Sequence, residues 1–436
     1  MRTVAEIDSM TARVSRTRRL LIFPYVLMVT AWMFDFQSKG AGQGLAIQIF
    51  FLLGYGGFFT IFLWLDRALR IKITGFAPLL FCTFIYLAVS ITSGLQRGQD
   101  PYLVFRHVLT ILIYLTATYA TARMVVISSI SVLRGALGVL CLGFAVSAFF
   151  IVLFFQGGVD LSTIRYQIQG TSSTAALGLI VLTFVFSLSR IEKVAALSAA
   201  IVIFLSITRS FLVVFAVQGF VLLPIRQRLM RQRFIIAFVL AGFIGALFLI
   251  FGGESAERWV QRLTVIEQFG GIDPTVLTRY VEWEYMWDEF WSSIDKFLFG
   301  SGLAAETYYW IAPELGGRAD GFGSIGFGHN QHLSLLFNAG LVGGAPLLCL
   351  QFLQGWQGFR FLLRARQYSQ VKADLVFLGA WGVTIIFGTL AGNFLFATFG
   401  SRGFTLWYGI GTGLLLGART WMMPKGGLKV SNDRMS

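Results

Sequence analysis

Long apolar runs recur along this chain of 436 residues and constrain its fold more than any other feature. In the first half they fall near residues 20–36, 45–65, 73–93, 102–122, 135–155 and 174–189. Each has about the length that a helix needs to cross a bilayer. Hydrophobic residues make up 56% of the chain and charged residues only 13%, which is the composition of an integral membrane protein. We therefore expect an all-α integral membrane protein.

The next apolar run, from Val194 to Ile225, is too long for one crossing and short for two. Basic residues flank it on both sides, from Arg190 before it and from Arg226 after it. Lys and Arg concentrate on the cytoplasmic side of membrane proteins, so both ends of this run should be cytoplasmic. The chain must then turn on the outer side, at residues 208–210.

The remaining runs complete a prediction of about 12 spans with both termini in the cytoplasm. About nine spans lie in residues 1–251, the last of them at 234–251, and about three lie in 330–418, at 330–350, 375–397 and 404–418. Between these groups, residues 252–329 form one large outer loop, and residues 419–436 form a basic cytoplasmic tail. The domain organisation therefore follows from hydropathy together with the distribution of basic residues.

The net charge of +14 raises the question of nucleic-acid binding. In the predicted topology most Lys and Arg fall on the inner segments, as the positive-inside rule requires. The basic balance is therefore explained by membrane orientation, and we expect no nucleic-acid partner. All three cysteines lie inside apolar runs, which excludes a disulfide framework and a C-x-x-C metal pair.

The outer loop contains two segments with helical periodicity, residues 254–269 and 274–299. The second carries aromatic residues at i, i+3/i+4 spacing, while Arg279, Glu282 and Glu289 lie off that face. This pattern predicts amphipathic helices that rest at the membrane interface.

A few arginines are predicted to face outward, where they could bind an anionic substrate. Arg209 and Arg402 lie at hairpin tips between short spans, Arg279 lies on the second loop helix, and Arg165 follows the fifth span. The planar guanidinium matches phosphate at an interface of low dielectric constant. The alternative for each is an arginine whose long stem reaches a lipid headgroup or a loop carboxylate.

Two of the three histidines lie where a polar loop becomes an apolar helix, in the sequence His329-Asn330-Gln331-His332. A metal site needs further ligands, but no cysteine and no third histidine except His107 is predicted on the outer side, and an H-E-x-x-H pattern is absent. We expect no metal. His329 is then either a structural residue or a group that exchanges a proton near neutral pH.

The stretch HNQHLSLLFNAGLVGG, residues 329–344, resembles the signature of the O-antigen ligase and polymerase family. The segments Arg279-Tyr-Val-Glu-Trp283 and Phe299-Gly300-Ser301-Gly302 are also similar to that family, as is the serine-arginine turn at residues 206–210. The loop from Arg165 to Gly170 is similar to a smaller extent. Phe297 replaces a proline of the family pattern, and the R-x10-G spacing of polymerases is absent at Arg165 and Arg209.

The resemblance implies a glycosyltransferase of the bacterial inner membrane whose site faces the periplasm. It would transfer a glycan from undecaprenyl diphosphate to a glycan or lipid-anchored acceptor, with inversion and without a cofactor or metal. The implied general base is His329, and Arg209 and Arg279 would hold the diphosphate. The further substrate-binding candidates are Arg165, Arg402, Asn330 and His332.

Three alternatives stay open. A polymerase of O-antigen or exopolysaccharide repeats would use the same donor chemistry as a ligase. A lipid-glycan transporter or flippase would also have about 12 spans, but no Asp or Glu lies deep inside a predicted span and no internal repeat is visible. A scaffold protein would leave the outer arginines and His329 without a role.

Overall fold

The computed structural model describes residues 20–30, 45–67, 72–154, 173–205, 209–225, 274–310, 320–323, 328–365, 373–396 and 398–422, with Gln232 and Val260. The fold of these residues is mostly helical, as expected. Its helices before the predicted outer loop are α1 (Leu20–Thr30), α2 (Leu45–Asp66), α3 (Phe76–Gln96), α4 (Pro101–Ile127), α5 (Ile130–Phe154), α6 (Ser173–Leu182), α7 (Arg190–Leu205) and α8 (Arg209–Leu222).

The second part of the chain contains two short strands and six helices within the described residues. They are α9 (Pro274–Trp291), α10 (Ile294–Phe299), β1 (Thr307–Trp310), β2 (Asp320–Gly323), α11 (Gln331–Ala339), α12 (Ala345–Ala365), α13 (Ala373–Gly392) and α14 (Arg402–Met422). The strands pair antiparallel, with Thr307 opposite Gly323 and Trp310 opposite Asp320. This ribbon lies in the predicted outer loop and was not expected from the sequence.

Four helical segments are long and apolar enough to cross a membrane: Phe76–Gln96, Pro101–Ile127, Gln331–Ala365 and Ala373–Gly392. Several shorter apolar helices accompany them among the described residues. The predicted span at 234–251 and the predicted loop helix at 254–269 lie outside the described residues, apart from Val260. The count of 12 spans, the orientation of the termini and the periplasmic position of the loop therefore stay predictions.

A stripe of glycines packs α14 directly against α4. A Cβ atom added at Gly409, Gly413 or Gly417 would lie 2.6–2.8 Å from a main-chain carbonyl oxygen of α4. These glycines recur every fourth residue, so they share one helix face and let the two backbones approach closely. This pair, covered on one side by α13, forms the centre of the helical bundle.

Buried ion pairs connect helices that are distant in sequence. The Arg123 Nε atom donates to Asp66 Oδ1 at 2.8 Å, and the Tyr119 hydroxyl donates to Asp66 Oδ2 at 2.8 Å. Arg123 and Asp66 are only 1% and 3% exposed. Because both charges are removed from solvent, the ion pair and its hydrogen bonds offset the cost of burying them.

A second ion-pair cluster connects α5, α7 and α13. Arg134 donates to Glu192 Oε2 at 2.7 Å and to Asp374 Oδ1 at 2.6 Å. Glu192 also accepts from the backbone N–H of Ser189, whose hydroxyl accepts from the backbone N–H of Glu192. This reciprocal arrangement is a capping box. The Glu192 carboxylate therefore caps the start of α7 and also binds Arg134 of α5.

Several expected boundaries were confirmed. The long run from Val194 to Ile225 divides into two helices, and the second one begins at Arg209, although residues 206–208 lie outside the described part. The runs near 45–65, 73–93, 102–122, 135–155, 375–397 and 404–418 each contain a helix.

Two other expectations on continuity were wrong. The run at 174–189 is helical only as far as Leu182 and then forms turns. The segment 274–299 is two helices, because Ser293 is extended and its side chain accepts from Lys296 N, which starts α10. The span expected at 330–350 was confirmed, since nearly all of it lies within the apolar helical segment Gln331–Ala365, but a π-helical turn at Gly340–Gly344 separates α11, which ends at Ala339, from α12.

Close packing explains this last interruption. Gly340 has φ of +59°, and a Cβ atom there would lie 2.3 Å from the carbonyl oxygen of Leu298. Only glycine combines this left-handed conformation with so close an approach. The turn therefore lets α10 pack where a continuous helix would have carried a side chain.

Candidate functional site

The imidazole of His329 binds a buried carboxylate that the sequence did not single out as functional. His329 Nδ1 lies 2.7 Å from Glu282 Oε2, and the same oxygen accepts from the backbone N–H of His329 at 3.1 Å. Glu282 is 1% exposed, whereas the His329 side chain is 41% exposed. Because a carboxylate accepts hydrogen bonds, Nδ1 carries the proton of the neutral ring and Nε2 is its basic nitrogen.

The backbone before α11 holds His329 in this position. The side chain of Asn330 caps α11 by accepting from Leu333 N at 3.1 Å, and Gly328 N donates to the Ser334 hydroxyl at 3.0 Å. A Cβ atom at Gly328 would lie 2.5 Å from Glu282 Oε1, so any larger residue would displace the carboxylate. Asn330 therefore acts first as a helix cap beside the histidine.

A loop after α10 fixes the position of α9, which carries Glu282. The Ser301 and Gly302 N–H groups donate to the carbonyls of Phe337 and Asn338 at 2.7 and 3.1 Å, and Leu303 N donates to Ser90 O at 2.8 Å. These bonds attach the loop to the end of α11 and to α3. The segment Phe299-Gly300-Ser301-Gly302, noted in the sequence, thus anchors the catalytic candidates by its backbone.

The start of α11 is also attached to the segment that precedes α14. Gln331 N donates to Asn393 O, and Phe399 N donates to Gln331 Oε1, both at 2.8 Å. Arg402 begins α14 shortly after this network and is 8% exposed. Arg402 therefore lies at the turn between α13 and α14, where the sequence placed it, and it is a buried residue that engages neighbouring groups.

The structure places Arg209 at the same end of the bundle as Arg402. Arg209 is the first residue of α8, and Phe211 shares a buried apolar cluster with Phe404 of α14. The two arginines thus begin two helices whose first turns contribute to the same buried apolar cluster. For Arg209 only the backbone is described, and Arg165 lies outside the described residues.

Arg279 lies on α9 one turn before Glu282 and is half-buried, with interactions of its own. Residues three apart share one helix face, so Arg279 lies on the side of α9 that carries Glu282 and the buried Met286. The structure therefore brings the Arg279-to-Trp283 segment next to the HNQH segment. The sequence placed these segments in one family signature but gave Glu282, inside the first of them, no role.

A cavity of about 520 Å³ lies between α9 and α11. It is lined by Tyr280, Trp283, Glu284, Trp287, Asp288, Asn330, His332, Leu333, Leu336 and Leu348. Its volume falls within the usual range of small-molecule sites. Its described walls are aromatic and aliphatic, with two carboxylates and no Lys or Arg.

Further carboxylates lie on α9 and close to it. Burial raises the pKa of Tyr285, and the carboxylates of Glu289 and Glu306 raise it further. Glu289 is paired with Lys296, so its charge is balanced locally.

His332, predicted to bind substrate, is 7% exposed and lines the cavity. Its Nε2 atom donates to the carbonyl of Leu390 at 3.0 Å, and its ring lies 5.2 and 4.6 Å from the rings of Phe352 and Phe394. Its Nδ1 atom is buried without a hydrogen-bond partner among the described residues. His332 is therefore held by the helical bundle while one acceptor atom stays unsatisfied.

His329 binds Glu282, whereas His332 binds the carbonyl of Leu390. Within the described residues no group of three or more His, Cys, Asp or Glu is arranged to hold a metal ion. The site instead combines a histidine–carboxylate pair, arginines at neighbouring helix starts, and a cavity with aromatic walls. Such a combination suits proton transfer next to bound anionic and neutral groups.

Comparison with known proteins identifies the part of the chain that contains most of this site. Residues 175–348 match the family model described as O-Antigen ligase. No curated protein matches the chain. The matched residues include Arg209, Arg279, Glu282 and His329, but Arg402 lies beyond them. The match confirms the resemblance recognised in the sequence: residues 175–348 are similar to the O-antigen ligase family, which supports a membrane protein of the glycan ligase or polymerase kind.

Proposed function

We propose that this protein is a metal-independent, inverting glycosyltransferase of the bacterial inner membrane. It transfers a glycan from undecaprenyl diphosphate to an acceptor hydroxyl on the periplasmic side. The observation that carries the proposal is the 2.7 Å contact between His329 Nδ1 and the buried carboxylate of Glu282, inside the matched domain.

In this mechanism His329 is the general base. The acceptor hydroxyl attacks the anomeric carbon of the donor, its proton passes to His329 Nε2, and the bond from that carbon to the diphosphate oxygen breaks. Glu282 holds the tautomer in which Nε2 can accept, and its charge stabilises the imidazolium that forms. Attack opposite the leaving diphosphate inverts the anomeric configuration.

The leaving diphosphate gains negative charge, which fixed cations stabilise best in a site of low dielectric constant. Arg209 and Arg402 begin neighbouring helices at the end of the bundle where α11 also begins. Arg279 lies on α9 one turn from Glu282. Guanidinium groups do not lose their proton in proteins, so these residues are suited to hold the donor in every step. Arg165 is proposed as a further donor contact on its sequence alone.

A polymerase that extends a lipid-linked repeat remains the alternative, because the acceptor differs while the donor chemistry is the same. A proton-coupled transporter has less support. The carboxylates of Asp66 and Glu192 are buried, but both are engaged by arginines and lie at helix ends. Such pairs are structural and do not provide a titrating group along a substrate path.

The test uses cells whose only copy carries His329→Ala, with the membrane level of the variant matched to the wild type. Long glycans that stay on undecaprenyl diphosphate, with none on the final anchor, would support a ligase. Single repeats on the anchor without longer chains would support the polymerase. An unchanged surface glycan would contradict the proposed function.

A further inference from the structure

We propose that the cavity between α9 and α11 binds the sugar rings of the acceptor and selects neutral or amino sugars over acidic ones. The acceptor identity rests on the proposed function, but the saccharide preference follows from the lining of the cavity itself.

The aromatic wall of the cavity is formed by one face of α9. Tyr280, Trp283 and Trp287 are spaced three and four residues apart, so their rings lie along one side of the helix. Tyr280 and Trp287 are 56% and 49% exposed, which leaves ring surface open to a ligand. The electron-rich face of an aromatic ring attracts the polarised C–H groups of a pyranose, and its flat shape matches the sugar ring.

The polar groups of the cavity are complementary to hydroxyls. His332 is 7% exposed, and its unpartnered Nδ1 atom is an acceptor because Nε2 carries the proton. The indole N–H of Trp283 is a buried donor without a partner among the described residues. Buried polar atoms are normally satisfied, so these two groups are suited to a ligand that both donates and accepts. Sugar hydroxyls do both.

The charge of the cavity determines which saccharides fit. Glu284 and Asp288 line it, and no lysine or arginine does so among the described residues. Carboxylates accept from hydroxyl or ammonium groups but repel a uronate or a diphosphate. The cavity is therefore unsuited to the charged part of the donor.

The position of His329 connects the cavity with the arginine-bearing region. Asn330 lines the cavity, and the preceding residue, His329, contacts Glu282 on the adjacent face of α9. Arg209 and Arg402 are the first residues of α8 and α14. Gln331 of α11 accepts from Phe399 N, just before α14, and the first turns of α8 and α14 contribute to one apolar cluster. An acceptor in the cavity would thus reach His329 from one side, and the donor diphosphate would reach His329 from the other side.

Binding is measured with the full-length protein in lipid nanodiscs and three soluble trisaccharides that differ in charge. They are the chitosan trisaccharide, its fully N-acetylated form, and trigalacturonate. We expect the first two to bind and trigalacturonate to bind at least tenfold more weakly at low salt. Trp287→Ala should weaken binding of both sugars at least tenfold, and Asp288→Asn should weaken the cationic sugar most.

Two variants outside the cavity serve as matched controls. Trp356→Ala removes an exposed tryptophan of α12, and Glu289→Gln removes a charge from α9; both should bind like the wild type. Trigalacturonate that binds as well as the other two, or Trp287→Ala that binds them unchanged, would overturn the proposal. So would displacement of both sugars by farnesol, which would identify an isoprenoid groove.

The same variants separate this proposal from the proposed function. His329 does not line the cavity, so His329→Ala should keep trisaccharide binding while transfer is lost. If His329→Ala kept both, the proposed base would be wrong and the saccharide site would stand. In a transfer assay, Asp288→Asn should raise the KM for the acceptor and leave the KM for the donor unchanged.

Discussion

The most specific consequence of the structure concerns Glu282, which we expect to be a positioning residue for His329. The variant Glu282→Gln keeps the size of the side chain and an oxygen that accepts hydrogen bonds, but removes the charge. In the wild type one oxygen of Glu282 accepts both from the backbone N–H of His329 and from Nδ1 of its ring. Only the bond to Nδ1 changes during the reaction, because only the ring becomes positively charged.

The expected magnitude follows from that single bond. A hydrogen bond to a charged group contributes about 1.5–3 kcal/mol, against about 0.5–1.5 kcal/mol for a neutral pair. Because Gln still accepts a neutral hydrogen bond, the variant loses only the difference, about 1–1.5 kcal/mol in the transition state, which lowers kcat by roughly 5- to 13-fold. The KM values for donor and acceptor should change little, because Glu282 touches neither in the proposed arrangement.

The assay is steady-state transfer by purified protein in nanodiscs, together with thermal unfolding. Glu282→Gln should unfold at or above the wild-type temperature, because it removes a buried charge with an unpartnered oxygen. Glu289→Gln is the matched control, since Glu289 lies on the same helix but pairs with the partly exposed Lys296. A wild-type kcat for Glu282→Gln, or a loss no larger than in Glu289→Gln, would refute this reasoning.

Three further variants test the scaffold and the donor site. Gly302→Ala should lower the unfolding temperature strongly and abolish transfer, because its φ is +93° and the new Cβ would lie 2.3 Å from Gly94 Cα; wild-type stability would contradict the close docking of this loop. Asp66→Asn should destabilise the protein by about 3–5 kcal/mol in reversible unfolding, since it leaves Arg123 buried without its counter-charge. A change below about 1 kcal/mol would mean that the pair behaves like a surface pair. Arg402→Lys should raise the KM for the donor roughly tenfold or more, because a lysine cannot reproduce a bidentate contact with a diphosphate; an unchanged donor KM would exclude Arg402 from donor binding.

Hydropathy and local signals predicted much of the helical framework. The division of the run from Val194 to Ile225 and the start of a helix just after Asn330 both followed from local residues. A helix start depends on a capping residue and the apolar pattern after it, and both are visible in the sequence. The recognised signature also linked Arg209, Arg279 and His329 to one family, and all three lie inside the matched residues.

Contacts between distant segments could not be predicted in the same way. Glu282 looked like one more acidic residue on an amphipathic helix, and its burial depends on a loop 47 residues later. The turn at Gly340 depends on the approach of Leu298, and the buried pair of Asp66 with Arg123 depends on how α2 packs on α4. Helical periodicity shows which face of a single helix is apolar, so it does not show which other segment packs against that face.

In the proposed mechanism His329 removes the proton of the acceptor during glycan transfer from undecaprenyl diphosphate. The most direct measurement is single-turnover transfer by purified wild-type and His329→Gln protein, with donor and acceptor both saturating. For His329→Gln we expect normal donor binding and a transfer rate at least 100-fold below the wild type, in line with the usual contribution of a general base. Transfer at the wild-type rate by His329→Gln would contradict it.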